Sequence, residues 1–168
     1  SSCVPHRVLA RAFIRGFDEI GHKCMKILCD TNIIFSALIG DGNERLLIER
    51  IMARGHIVAL TDLIVAELHS VIERKLSATR KKDALGILSR IIESHLIFVK
   101  KYGLYNNLIK EADQYINKKD ASILAAALQD EIKYLVSGDR DFIDNAKLFH
   151  LRGKKIYTAQ ELLEILTE

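Results

Sequence analysis

The chain has 168 residues, of which 49% are hydrophobic and 28% charged. That balance suits one globular domain with a real core, and it excludes a disordered or low-complexity polymer. The formal net charge of +3 is too mild for bulk charge to recruit a polyanion, and no apolar run approaches the roughly 20 residues that span a bilayer.

Residues 1–24 differ in pattern from the rest of the chain. Leu9, Phe13 and Phe17 recur every four residues and Arg7, Arg11 and Arg15 line another face, the pattern of a short amphipathic helix. The stretch lacks the apolar core of a secretory signal. It reads as an extension ahead of a domain that covers 25–168. Cys3, Cys24 and Cys29 are odd in number and lack C-x-x-C spacing, so reduced thiols in a cytoplasmic protein are expected. The six histidines show no metal-ligand spacing, and no zinc site is expected.

From Met25 the chain alternates between two periodicities. KILC is a short apolar run that stops at Asp30-Thr31-Asn32, as a buried strand ending in a polar turn does. NIIFSALI supports a helix, broken at Gly40-Asp41-Gly42, and Asn43 can cap the next one. Gly55 ends that helix, HIVAL is a second strand, and Thr61 or Asp62 caps a helix to about Leu76. Another helix opens at Ser77, with Leu85, Leu88, Ile91 and Ile92 on its apolar face. LIFVK at 96–100 is a third strand. A helix is expected over 104–116, and the apolar helix SILAAAL lies within Lys118–Glu131. YLVS at 134–137 is a fourth strand, followed by a short helix from Asp139. KIYT at 155–158 is a fifth strand, and AQELLEIL closes the chain as a helix.

Strands alternating with helices predict an α/β domain with a mainly parallel sheet. Ligands of such sheets sit at the carboxyl ends of the strands. Asp30 ends the first strand and Asp139 comes two residues after the fourth. Glu67 lies in the second turn of the helix leaving the second strand. Asp120 opens a helix that leads back into the fourth strand, so it too belongs at that edge. Helical geometry puts Glu67 at the border of the buried stripe and Asp120 on the face of Ile123, Leu124 and Ala127, both leaning inward.

Taken singly, Glu67 reads as a solvated helix residue and Asp120 as a first-turn acid favoured by the helix dipole. Taken together, several carboxylates at one sheet edge repel each other unless a cation is present. Mg²⁺ or Mn²⁺ takes oxygen ligands and keeps several waters, and such an ion can drive phosphodiester hydrolysis. One ion or two remains open at this level.

These residues carry a resemblance. Met25 to the C-terminus resembles a PIN domain, the nuclease fold of VapC-type toxins in toxin–antitoxin systems and of RNA-processing nucleases. The matching pieces are Asp30, Thr31 and Asn32 after the first strand, Glu67 in AELHSVIERK, Asp120 in KKDASILAAAL, and Ser137, Asp139 and Asp141 in VSGDRDF. The resemblance implies a PIN-like three-layer sandwich with a mainly parallel five-stranded sheet in the order 3-2-1-4-5. It implies Mg²⁺- or Mn²⁺-dependent cleavage of RNA, a small antitoxin partner and a homodimer. Asp30, Glu67 and Asp120 map onto metal-binding acids. Asp139 and Asp141 share the fourth acidic motif, with Asp139 favoured as closer to the strand end. Asn32 and Ser137 would orient ligands or substrate, and Thr31 reads as structural.

One departure bears on the ion count. Many relatives carry a further acid beside the third motif, where this chain has Lys119 before Asp120 and Ala121 after it. Lys118, Lys119 and Arg140 flank the acids as candidate phosphate contacts. Arg74, Lys75, Arg80, Lys81 and Lys82 read as a solvated helix face. The competing readings are an RNA-processing PIN nuclease without a toxin role and a PIN-like module that binds RNA or protein without cutting. A phosphatase with an aspartyl nucleophile would want a second acid where Asn32 stands.

Overall fold

A computed structural model of the protein describes residues 24–93, 97–100, 108–114, 116, 120–144 and 155–167. The helix expected within residues 1–24 lies, but for Cys24, outside the described residues, as do Lys118 and Lys119.

Five strands, β1 (Lys26–Cys29), β2 (Ile57–Thr61), β3 (Ile97–Lys100), β4 (Ile132–Val136) and β5 (Lys155–Tyr157), form one sheet in the order β3-β2-β1-β4-β5. Every neighbouring pair is parallel. Architecture and strand order are those the resemblance implied. The two central strands are mainly apolar because both their faces are covered. All five residues of β2 are buried, as are Ile27, Leu28 and Cys29 of β1. Toward the edge, β4 already exposes Lys133.

The helices are α1 (Thr31–Ile39), α2 (Asn43–Ala53), α3 (Asp62–Lys75), α4 (Ala78–Glu93), α5 (Ile109–Ala112), α6 (Ala121–Ala127), α7 (Arg140–Asp144) and α8 (Ala159–Thr167). From β1 the chain moves outward through β2 to β3, with α1 to α4 in the crossovers. It then jumps back past β1 to β4 and β5. Right-handed crossovers put helices of these opposite directions on opposite faces of the sheet. The contacts agree: α1 packs on α2, α3 and α4, α5 packs on α6, and α6 on β4; α8 returns to lie against α2. The reversal falls between β1 and β4, which makes their carboxyl ends the switch point where such sheets open a crevice.

Local signals set most boundaries. Thr61 caps α3 by accepting from the Ile64 N–H at 3.0 Å. Gly55, at φ 78°, supplies the left-handed turn out of α2, and the His56 N–H donates to the Ile51 carbonyl at 3.0 Å. Several expected limits shift. Gly42, not Asn43, is the N-cap of α2, and it makes no side-chain cap bond. Helix α6 spans seven residues, one position earlier at each end than the expected SILAAAL. The polar stretch after it is a turn, with the Ile132 N–H donating to the Gln129 carbonyl at 3.0 Å. Strand β4 accordingly starts at Ile132, two residues earlier than expected. Cys29 is a free, buried thiol, whereas Cys24 is disulfide-bonded, a departure from the reduced state expected of all three cysteines. Among the described residues no helix is long and apolar enough to cross a membrane.

Candidate active site

The carboxyl ends of β1 and β4 are tied together by their own polar residues. Asp30 comes directly after β1, and its N–H donates to the Val136 carbonyl at 3.2 Å, which continues the β1–β4 pairing one step. Its side chain caps α1: Oδ1 accepts from the Ile33 N–H at 3.0 Å. The other oxygen, Oδ2, accepts from Ser137 Oγ at 2.5 Å. Ser137, with no exposed surface, also accepts from the Asp139 N–H at 3.0 Å. Asp139 Oδ1 in turn accepts from the Asp141 N–H at 2.9 Å, in the manner of a cap at the start of α7. A continuous chain of hydrogen bonds thus runs from α1 through Asp30, Ser137 and Asp139 to α7.

Asp120 enters from α6. It holds the N-cap position but makes no side-chain cap bond, so capping does not account for it. Its residue is only 8% exposed. Carboxylate oxygens of Asp120, Asp139 and Asp141 all lie within 4.8 Å of one another. Burial pushes the Asp30 carboxyl above the usual carboxylate range, and the hydrogen bonds from Ser137 and Ile33 oppose that shift. The negative charges of Asp139 and Glu67 add to the upward push.

Glu67 behaves differently from the inward-leaning acid expected. The buried stripe of α3 is Ile64, Leu68, Val71 and Ile72, and Glu67 sits just outside it as an exposed residue. Its carboxylate nevertheless reaches across to α1, where Oε2 accepts from Thr31 Oγ1 at 3.0 Å. A cavity of about 100 Å³ opens between these elements. Asp30, Asn32, Glu67, Asp120 and Asp139 line it, with Thr31 and Ser122 adding hydroxyls and Leu63, Ile64, Ile123 and Phe142 apolar surface.

All five predicted acids therefore gather at one sheet edge, in two groups. Asp120, Asp139 and Asp141 form the tight cluster, so Asp141 stands level with Asp139 in proximity. Asp30 and Glu67 complete the cavity wall without joining that cluster. Asn32 is exposed at the rim and Ser137 lies beneath. Arg140 is exposed between Asp139 and Asp141 in sequence. Three of the basic residues at the α3–α4 junction have partners within the fold. Lys81 pairs with Glu73 at 2.9 Å, Arg80 donates to the Ile39 carbonyl at 3.2 Å, and Lys75 stands 5.8 Å over the Phe35 ring. Sequence reasoning gave Thr31 no part in the site and passed over Ser122. Each is a hydroxyl within two residues of a predicted acid, the one signal available for them.

Comparison with known proteins agrees with this fold. No curated protein matches the chain in sequence. PAE2754 from Pyrobaculum aerophilum has a similar fold, with a TM-score of 0.61 and 17% identity over 85% of this chain and 96% of that one. VapBC2 from Rickettsia felis, solved bound to a DNA fragment from its promoter, gives 0.55 and 15% over 80% and 98%. VapC20 from Mycobacterium tuberculosis, a sarcin–ricin-loop-cleaving toxin, gives 0.50 and 18% over 70% and 93%. The model of the PIN domain matches residues 27–148, from β1 through the helix after β4. The chain belongs to the PIN domain family.

Proposed function

We propose that this protein is a divalent-metal-dependent endoribonuclease that hydrolyses RNA phosphodiester bonds, and that it is the toxin of a toxin–antitoxin pair. The observation that carries this reading is the meeting of Asp120, Asp139 and Asp141 within 4.8 Å, beside a cavity that Asp30 and Glu67 also line. Similarity to VapC20 and VapBC2 supports RNA as substrate and a small antitoxin as partner. A homodimer and a cytoplasmic location belong to the same reading, as does a nuclease domain over 25–168 with residues 1–24 outside it.

The donor set fits a hard divalent cation. It offers carboxylate oxygens and neither thiolate nor imidazole, which suits Mg²⁺ or Mn²⁺ over zinc or copper. Acids this close repel, and the Asp30 carboxyl beside them is raised by burial first, with smaller contributions from the charges of Asp139 and Glu67. Asp120, Asp139 and Asp141 would hold the ion, with Asp30 and Glu67 as further ligands. When bound, the ion lowers the pKa of water and stabilises charge on the attacking and leaving oxygens. Lys119 and Ala121 beside Asp120 leave fewer carboxylates for a second ion, so one ion is the favoured count.

The chain's own groups do the remaining work. Ser137 fixes the rotamer of Asp30 and, through the Asp139 N–H, the turn that presents Asp139 and Asp141. Asn32, exposed at the rim, offers an amide to the RNA backbone, and Arg140, Lys118 and Lys119 offer phosphate contacts that carry no base specificity. Leu63, Ile123 and Phe142 keep part of the wall apolar, which strengthens electrostatic interactions inside. The test is cleavage of a single-stranded RNA in Mg²⁺ or Mn²⁺, with a phosphomonoester assayed in parallel. RNA cleavage that EDTA abolishes is expected. Cleavage that persists in EDTA, or turnover of the monoester alone, contradicts the reading.

A further inference from the structure

Thr31 is buried, 4% exposed, although its side chain carries a hydroxyl. A buried hydroxyl needs a partner, and Thr31 finds it on another element: Oγ1 donates to Glu67 Oε2 at 3.0 Å, from the first turn of α1 to α3. The hydroxyl is the donor of this bond and the carboxylate oxygen its acceptor. Glu67 is itself an exposed residue on a long, flexible side chain, and an unrestrained glutamate there would sample many rotamers. Thr31 also stands directly after Asp30, whose own two oxygens are both held. The bond therefore references the acid on α3 to the end of β1, and with Oε2 engaged it leaves Oε1 for the cavity.

We infer that Thr31 is a positioning residue for Glu67: its hydroxyl holds the Glu67 carboxylate at the cavity wall, and the divalent-cation affinity of the site depends on it. The inference rests on the metal-dependent reading above and adds a residue that acts through Glu67. A second-sphere hydrogen bond of this kind is worth roughly 10–100-fold in metal affinity or activity.

The test measures Mn²⁺ binding by calorimetry without RNA, and RNA cleavage separately, for the full chain and for Thr31→Val, Thr31→Ser, Glu67→Ala and Thr31→Val/Glu67→Ala. Thr31→Val removes the hydroxyl and keeps the shape; about tenfold weaker Mn²⁺ binding is expected, with Thr31→Ser close to the parent. The Thr31→Val effect should vanish when Glu67 is already alanine, which a merely structural role would not produce. Thermal melts establish that each variant is folded, and Thr31→Ala answers the same question if Thr31→Val is not. Unchanged Mn²⁺ binding in folded Thr31→Val, failure of Thr31→Ser to restore it, or equal effects with and without Glu67 overturns the inference. A parent chain that neither binds Mn²⁺ nor cleaves RNA overturns the nuclease reading itself, whereas a parent that does both beside an indifferent Thr31→Val overturns this inference alone.

Discussion

Asp30 has two jobs that conflict in the absence of metal. As a cap it accepts from the Ile33 N–H, and as the ligand proposed above it would have to stay ionised while almost wholly buried. Burial raises its pKa in the folded chain above the unfolded value, so the folded state holds its proton longer. Its contribution to stability is therefore complete below the unfolded pKa and is lost as pH rises through the folded pKa. Asp30→Asn keeps the cap acceptor and removes the titration. Without metal it should melt higher than the parent at about pH 8, and the gap should shrink toward about pH 4; melts across that range check it. Ser137→Ala acts in the opposite sense. It takes away a bond that lowers the Asp30 pKa and leaves a buried carboxylate oxygen short of a donor, which costs about 1–3 kcal/mol. Urea denaturation should show the loss more at high pH than at low, and cleavage should fall roughly 10–100-fold. Asp30, Asp120 and Asp139 were legible in sequence because an acid beside an apolar run is conspicuous. The bond between Thr31 and Glu67 was not, because it joins residues 36 apart through an unremarkable threonine.

At the scale of elements, strand–helix alternation was readable wherever the apolar period was clean. KILC ends at Cys29 and Thr61 caps α3, both as expected. The misreadings lie where composition and geometry disagree. Strand β4 begins at Ile132, two residues before the expected YLVS, because Ile132 already pairs with Lys26 of β1. Glu67 was placed at the border of a stripe by its angle alone; its exposure depends on how far α3 stands from the sheet edge, which periodicity does not encode. Two predictions belong here. Thr61→Ala removes the α3 cap and should cost about 1 kcal/mol by chemical denaturation. Leu68→Ala opens the core directly behind Glu67 and should cost roughly 2–5 kcal/mol, with weaker Mn²⁺ binding as α3 shifts.

In the whole molecule, the order β3-β2-β1-β4-β5 is what turns five acids spread over residues 30 to 141 into one site. The reversal between β1 and β4 sets Asp30 beside Ser137 and Asp139, and helices on the two faces deliver Glu67 and Asp120. A parallel α/β sheet was legible from alternation. Its strand order came only through the resemblance, since no local pattern says which strands are neighbours. The hydrophobic core runs through the sheet and both helix layers and meets the acidic edge only at residues such as Ile64 and Phe142, so chelation should leave the far-ultraviolet circular dichroism unchanged while removing activity. The most direct test of the central claim compares the parent chain with Asp30→Asn on single-stranded RNA in Mn²⁺. The account predicts Mn²⁺-dependent cleavage by the parent, and at least a roughly 100-fold loss in the folded variant, the upper end of what even a supporting residue costs. Equal cleavage by the two proteins would contradict it.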